Sequence, residues 1–174
     1  ILMQKTKRAL AVAAFVCCML TALADDKNTF VQPGDTLPTF SIEMSDGSCL
    51  TTDNLKGRPV VLAFFNTNCR DCRRELPLLQ RLYTEADETC RVVCVSRSQG
   101  QDEIAAYWQK TGLTLPYSPQ TDRTVYSLFA PHGLPRVYVA DADGVVKAVF
   151  IEKVSARKLL KAIKQCREQK QTNH

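Results

Sequence analysis

The chain has 174 residues, enough for one domain with appendages. Three of the charges behind its net +5 are Lys5, Lys7 and Arg8, so without the first 24 residues the balance is +2. The remaining basic residues do not cluster beyond Arg73-Arg74 and the C-terminal tail, which excludes a nucleic-acid footprint. The 150 residues that follow can bury a core without disulfide or metal staples.

The order of residues at the start predicts a secretory signal peptide over residues 1–24. A basic opening is followed by an apolar run from Ala9 to Ala24, ending in the small-residue pattern Ala22-Leu23-Ala24 and the charged pair Asp25-Asp26. Met3 reads as the initiator. The apolar run has 16 residues, short of the roughly 20 that span a bilayer as a helix. Two alternatives stand beside cleavage: a retained helical anchor, and acylation of Cys17 or Cys18. Export, periplasmic or otherwise, is the expected localisation.

Residues 25–33 read as a flexible lead-in to a domain over 34–168, with a polar tail over 169–174. Pro33-Gly34-Asp35 signals a turn. Phe40, Ile42 and Met44 alternate with polar neighbours as in a strand. Asp46-Gly47 makes a hairpin turn, and Cys49 to Thr52 returns. Val60 to Phe65 is a continuous apolar run, as expected of a strand covered on both faces.

Leu76, Leu79, Leu82, Tyr83 and Ala86 recur at helical spacing over 70–87, with Pro77 placed to kink the helix. Arg91 to Ser96 is a β-branched strand, and Gln101 to Thr111 a helix stopped by Gly112. Leu115 to Ser118 is a short extended piece. Asp122 caps a helix through Leu128. Val137 to Ala140 and Val145 to Ile151 form a hairpin around Asp141-Ala142-Asp143-Gly144. Ser155 caps a last amphipathic helix carrying Leu159, Leu160 and Ile163.

Six cysteines lie outside the leader. Cys49, Cys90, Cys94 and Cys166 have no informative spacing and read as small core residues, reduced and dispensable. Cys90 and Cys94 cannot pair if both lie on one strand. Four steps at about 3.3 Å span roughly 13 Å, against a limit near 7 Å between bridged Cα atoms.

Cys69-Arg70-Asp71-Cys72 sits where the buried strand becomes a helix. Two cysteines three apart in a first helical turn can bridge. The first meets unpaired N–H groups and the positive end of the helix dipole, which favour the nucleophilic thiolate. Cys69 is then the attacking thiol and Cys72, one turn in, the resolving one. A half zinc site and an inert structural disulfide are the alternatives. Zinc needs further ligands, and His132 and His174 form no second ligand pair. No metal or other cofactor is called for.

The element order, strand–helix–strand followed by a hairpin and a helix, is a thioredoxin-like arrangement. The stretch Leu55-Lys56-Gly57-Arg58-Pro59-Val60-Val61-Leu62-Ala63-Phe64-Phe65, followed by Cys69-Arg70-Asp71-Cys72-Arg73-Arg74-Glu75-Leu76-Pro77, resembles the TlpA/ResA-type thioredoxin-like proteins. The likeness runs over about residues 33–166 and includes Gly112 to Pro116 and Gly133 to Val139. It implies an α/β thioredoxin-like fold with an N-terminal β-hairpin extension and a central mixed sheet flanked by helices. It also implies that Pro135 is a cis-proline facing the dithiol, that the Leu134 backbone pairs with substrate, and that Glu75 handles protons.

The same resemblance implies an exported protein-disulfide reductase. Its partners would be disulfide-containing exported proteins, cytochrome c apoproteins among them, and a membrane thiol donor of electrons. Contact with the membrane itself would come only through an N-terminal anchor. Three departures matter. Asn68 stands where members carry Trp, Ala63 replaces the buried acid of ordinary thioredoxin, and Arg70 and Asp71 between the cysteines oppose one another electrostatically.

Two other functions compete. A peroxiredoxin-like peroxidase carries P-x-x-x-[ST]-x-x-C at its reactive cysteine, but here those positions are Leu62 and Asn66. A non-catalytic binding module on the same fold would not need an intact C-x-x-C with a facing proline.

Overall fold

A computed structural model of the chain describes residues 29–85 and 89–172. The signal-peptide reading of residues 1–24 and the first four residues of the lead-in lie outside the described residues. The rest of the lead-in is packed rather than flexible, with Val31 4% exposed and the Phe30 N–H donating to the Phe129 carbonyl at 2.9 Å. Two short strands come first, β1 (Ser41–Glu43) and β2 (Cys49–Thr51), paired antiparallel with Ile42 opposite Leu50. Their turn closes as Asp46-Gly47 predicts. Gly47 has φ +81°, the Met44 N–H donates to the Ser48 carbonyl, and the Ser48 N–H donates to Asp46 Oδ1 at 2.9 Å.

A single 3₁₀ turn over Asp53–Leu55 leads to β3 (Val60–Phe65). Then follow α1 (Arg70–Glu85), β4 (Arg91–Ser96), α2 (Gln101–Thr111), β5 (Tyr117–Ser118), α3 (Thr124–Ser127), β6 (Arg136–Ala140), β7 (Val146–Ile151) and α4 (Ala156–Thr172). The main sheet has the order β5-β4-β3-β6-β7 among the described residues. β4 and β5 run parallel to β3, whereas β6 pairs with β3 antiparallel and β7 with β6. The sheet is therefore mixed, with helices on its faces and the β1–β2 hairpin added at the N-terminus.

All six residues of β3 are buried, because their side chains alternate between two cores. Val61, Ala63 and Phe65 pack with Leu76 and Leu79 of α1, Trp108 of α2, and Leu159 and Ile163 of α4. Val60, Leu62 and Phe64 pack with the hairpin's Phe40 and Ile42, and with Tyr126, Phe129 and Tyr138. On that second face Phe64 meets Tyr126 edge-on, with ring centroids 5.4 Å apart.

Several expectations are corrected here. Leu160 is 54% exposed and Tyr83 41%. α4 buries Leu159, Ala162, Ile163 and Cys166 instead, a stripe at spacings of three and four from which Leu160 is turned by about 100°. α4 also runs to Thr172, beyond the expected boundary at residue 168. α3 is one turn only, although the Thr124 N–H does donate to Asp122 Oδ1 at 2.8 Å. α1 continues through Pro77, whose ring is on the exposed side.

The accessory cysteines divide. Cys90, Cys94 and Cys166 are buried and free, as core residues would be. Cys49 is exposed, with its Sγ 3.3 Å from Ser41 Oγ; the two-stranded hairpin has one open face, so a strand position there does not bury its side chain. Cys90 lies just before β4 rather than on it.

Burial pushes the thiols of Cys90 and Cys166 up to about 11, and that of Cys94 up as well. The unfolded chain ionises these groups first, near the ordinary value of 9.0. Their contribution is thus complete below about pH 9 and is lost as pH rises toward 11, at about 1–2 kcal/mol per thiol. Urea unfolding between pH 8 and pH 10.5 is expected to show this fall, and Cys90→Ala/Cys166→Ala to show a shallower one. An equally steep fall in the double variant would place its origin elsewhere.

Candidate active site: the Cys69–Cys72 dithiol

β3 delivers the chain to a tight loop at residues 66–69. The Cys69 N–H donates to the Asn66 carbonyl at 3.0 Å and the Asn68 N–H to Asn66 Oδ1 at 2.8 Å. A buried polar knot ties this loop to the end of β4. Gln99 Oε1 accepts from the Thr67 N–H at 2.8 Å, and Gln99 Nε2 donates to Thr67 Oγ1 at 2.6 Å. The Gln99 N–H in turn donates to Ser96 Oγ at 2.6 Å. A buried N–H left without an acceptor costs about 1–3 kcal/mol, so Gln99 fixes where the loop sits. Nothing in the local sequence marks Gln99 for this task.

Cys69 occupies the N-cap position of α1. Its carbonyl accepts from the Arg73 N–H at 3.1 Å, and its sulfur accepts from the Cys72 N–H at 3.3 Å. This is the geometry in which Ser or Asp normally caps a helix, with sulfur as the acceptor at the end where negative charge is stabilised. Cys69 is half-buried and Cys72 is 1% exposed.

Cys72 sits in a different field. Burial, above all, pushes its thiol well above the ordinary range, and the neighbouring Cys69 sulfur adds to the rise; the Asn66 backbone and the Arg97 charge counter it in part. The two sulfurs are therefore unequal in access and environment.

Facing them is the segment before β6. The Leu134–Pro135 bond is cis, and the Leu134 carbonyl lies 3.9 Å from Cys69 Sγ, at the outer reach of an S–H donor. This segment is held from behind. The Arg136 guanidinium, 1% exposed, donates from Nε to the His132 carbonyl at 2.9 Å and from Nη1 to Thr29 Oγ1 at 2.7 Å. Tyr126 Oη donates to the Gly133 carbonyl at 2.6 Å. Gly133 has φ +93°, and a Cβ there would sit 3.4 Å from Arg136 Nη2, so only glycine permits this approach without strain.

The structure thus brings together Cys69, Cys72, Leu134 and Pro135. Glu75 is buried, at 8% exposure, but its oxygen faces another way. Oε1 accepts from Arg74 Nε at 3.2 Å, while Arg74 Nη1 pairs with Asp71 at 3.0 Å. Arg74 and Glu75 also line a cleft with Phe150, Lys153 and Lys158. No hydrogen bond joins Glu75 to either sulfur among the described residues. Ala63 lies in the core on the same side as Cys72, so no carboxyl group occupies that position. Arg136, Tyr126 and Gln99 escaped the sequence reading. Arg136 and Tyr126 look like ordinary strand and helix residues, and only their distant partners give them meaning.

A half-buried sulfur at a helix N-terminus, a second sulfur one turn in and a backbone carbonyl opposite make an arrangement able to exchange disulfides. The comparisons point the same way. The chain is 28% identical over 143 residues to the thiol-disulfide oxidoreductase ResA of Oceanobacillus iheyensis, covering 79% of this chain and 74% of that one. It is 24% identical to the thioredoxin-like protein YneN of Bacillus subtilis, over 76% and 79% of the two chains. The crystal structure of a thioredoxin-family thiol:disulfide interchange protein from Chlorobium tepidum superposes with a TM-score of 0.66. It covers 78% of this chain and 97% of that one at 24% identity. The fold is thioredoxin-like and the relatives agree with the TlpA/ResA-type resemblance. Because the AhpC/TSA family model matches residues 33–149, more than half its length, the chain belongs to the AhpC/TSA family.

Proposed function

We propose that this protein is an exported thiol–disulfide oxidoreductase that reduces disulfides in other exported proteins. The single observation that carries the reading is the inequality of the two sulfurs, one capping the helix in reach of substrate and one sealed beneath it. Export rests on the signal-like order of residues 1–24. The resemblance supports the reducing direction, a membrane thiol donor, and cytochrome c apoproteins among the substrates.

In this reading the Cys69 thiolate attacks one sulfur of a substrate disulfide. The substrate S–S bond breaks, a mixed disulfide forms, and the departing substrate thiolate takes a proton. Cys72 then gives up its proton and attacks Cys69 Sγ, which releases the second substrate thiol. Two electrons have passed to the substrate, and the protein is left with a Cys69–Cys72 disulfide for the donor to reduce. Leu134 offers its backbone to the substrate strand beside the attacking sulfur, with Pro135 shaping that edge.

Burial makes deprotonation of Cys72 the demanding step. Glu75, one turn beyond it, is the proposed proton acceptor. That role requires its carboxylate to turn away from Arg74 toward the dithiol.

Cys72→Ser is expected to accumulate substrate on Cys69 as a mixed disulfide on a non-reducing gel, while Cys69→Ser traps nothing and loses reduction. Alkylation of the reduced protein at pH 6 should label Cys69 well before Cys72, because the raised Cys72 thiol stays protonated and covered. Labelling in the reverse order would refute the assignment. Glu75→Gln should displace the pH profile of mixed-disulfide resolution with the thermal unfolding midpoint kept. An identical profile would leave Glu75 as a structural carboxylate. Measuring the potential of the couple against glutathione tests the direction, since a value near the oxidising end of the thioredoxin-fold range, about −120 mV, would make the protein an oxidant.

A further inference from the structure

One buried donor stands out on the dithiol side of the molecule. Arg97 Nε is buried and has no hydrogen-bond partner, the single such side-chain nitrogen or oxygen among the described residues. Buried guanidinium donors are normally satisfied, and each exception calls for a reason. Arg97 follows β4, and its own N–H donates to the Phe65 carbonyl at 2.9 Å, at the base of the loop that carries Cys69. Its guanidinium lies 6.0 Å from the centre of the Tyr126 ring.

A second guanidinium converges on the same ring. Arg123 is exposed and sits 5.8 Å from the Tyr126 centroid. Tyr126 is the residue whose hydroxyl holds the Gly133 carbonyl, next to the Leu134 carbonyl that faces Cys69. Two cations therefore meet at the ring of the residue that holds the segment opposite the attacking sulfur, and Arg97 is also the cation whose charge is felt at Cys72. Neither has a carboxylate partner among the described residues. Asp71 is paired to Arg74 at 3.0 Å, and Asp122 accepts from the Thr124 N–H at 2.8 Å.

We infer that Arg97 and Arg123 form a carboxylate-recognition site beside the dithiol, which selects substrates carrying Asp or Glu next to the disulfide to be reduced. This inference rests on the reductase reading and adds the substrate class. An arginine fork matches a carboxylate in geometry as well as charge. An acidic side chain from the bound strand would pair with the exposed Arg123 and the half-buried Arg97, both of which Tyr126 holds ready by cation–π contact.

The test uses two synthetic peptides of equal length closed by one disulfide, with Glu or Gln flanking the cysteines. The second-order rate constant for reduction of each by the reduced protein is measured at low and high salt. The parent is expected to prefer the Glu peptide by about 5-fold, the size of one partly exposed ion pair, with the preference shrinking at 0.5 M NaCl. In Arg97→Gln/Arg123→Gln the ratio is expected to fall to about one; being a ratio, it is insensitive to any change in the dithiol itself. Arg123→Glu alters an exposed side chain and keeps the test independent of folding. It should invert the preference when Glu is compared with Lys peptides. Equal rates for the two peptides with the parent, or a preference retained by the double variant, overturns the inference and leaves the reductase reading standing. Failure to reduce either peptide overturns the reductase reading and this inference together.

Discussion

A sulfur atom closes the first turn of the helix that begins at Arg70. The Cys72 N–H donates to Cys69 Sγ, so the atom that caps the helix is also the one we propose as the attacking sulfur. Capping demands a fixed side chain at a fixed point in the loop, and the reaction demands the same. The rest of the site follows from this double demand. β3 must end in a buried, immobile position, which six covered residues provide. The loop after it must not drift, which the Gln99–Thr67–Ser96 knot prevents. Cys72, one turn in, then has no choice but to lie beneath the surface.

The opposing wall is built by a different kind of force. A buried guanidinium is costly unless its donors are met, and Arg136 meets the His132 carbonyl and the Thr29 hydroxyl. With Tyr126 on the Gly133 carbonyl, polar groups hold the strand that presents Leu134 to Cys69. The hydrophobic cores position β3 and β6 as neighbours, but cores specify layers rather than the orientation of one carbonyl. Directional hydrogen bonds supply that orientation.

The site's charge distribution is lopsided in a useful way. Burial keeps a proton on Cys72, which prevents both thiols from carrying charge at once and imposes an order on their reactions. Arg74 gathers Asp71 and Glu75 to one side of α1, while Arg97 and Arg123 stand on the other wall around Tyr126. Asp71 and Glu75 are thereby neutralised locally, while the two guanidinium groups at Tyr126 have no carboxylate partner among the described residues.

The sequence by itself determined the order of elements, the burial of β3, the turns at Gly47 and Gly144, and the dithiol's place at a strand-to-helix junction. These depend on periodicity, turn chemistry and spacing, all written within a few neighbouring residues. It misjudged Cys49, Leu160 and Tyr83, because exposure depends on which face another element covers. Only the tertiary structure decided which way Glu75 points, and that Gln99, Arg136, Tyr126 and Arg97 attend the dithiol. Gln99 is 32 residues from Thr67, and Leu134 is 65 from Cys69. Such contacts exist only once packed strands bring distant segments within hydrogen-bonding range, and no local pattern records them.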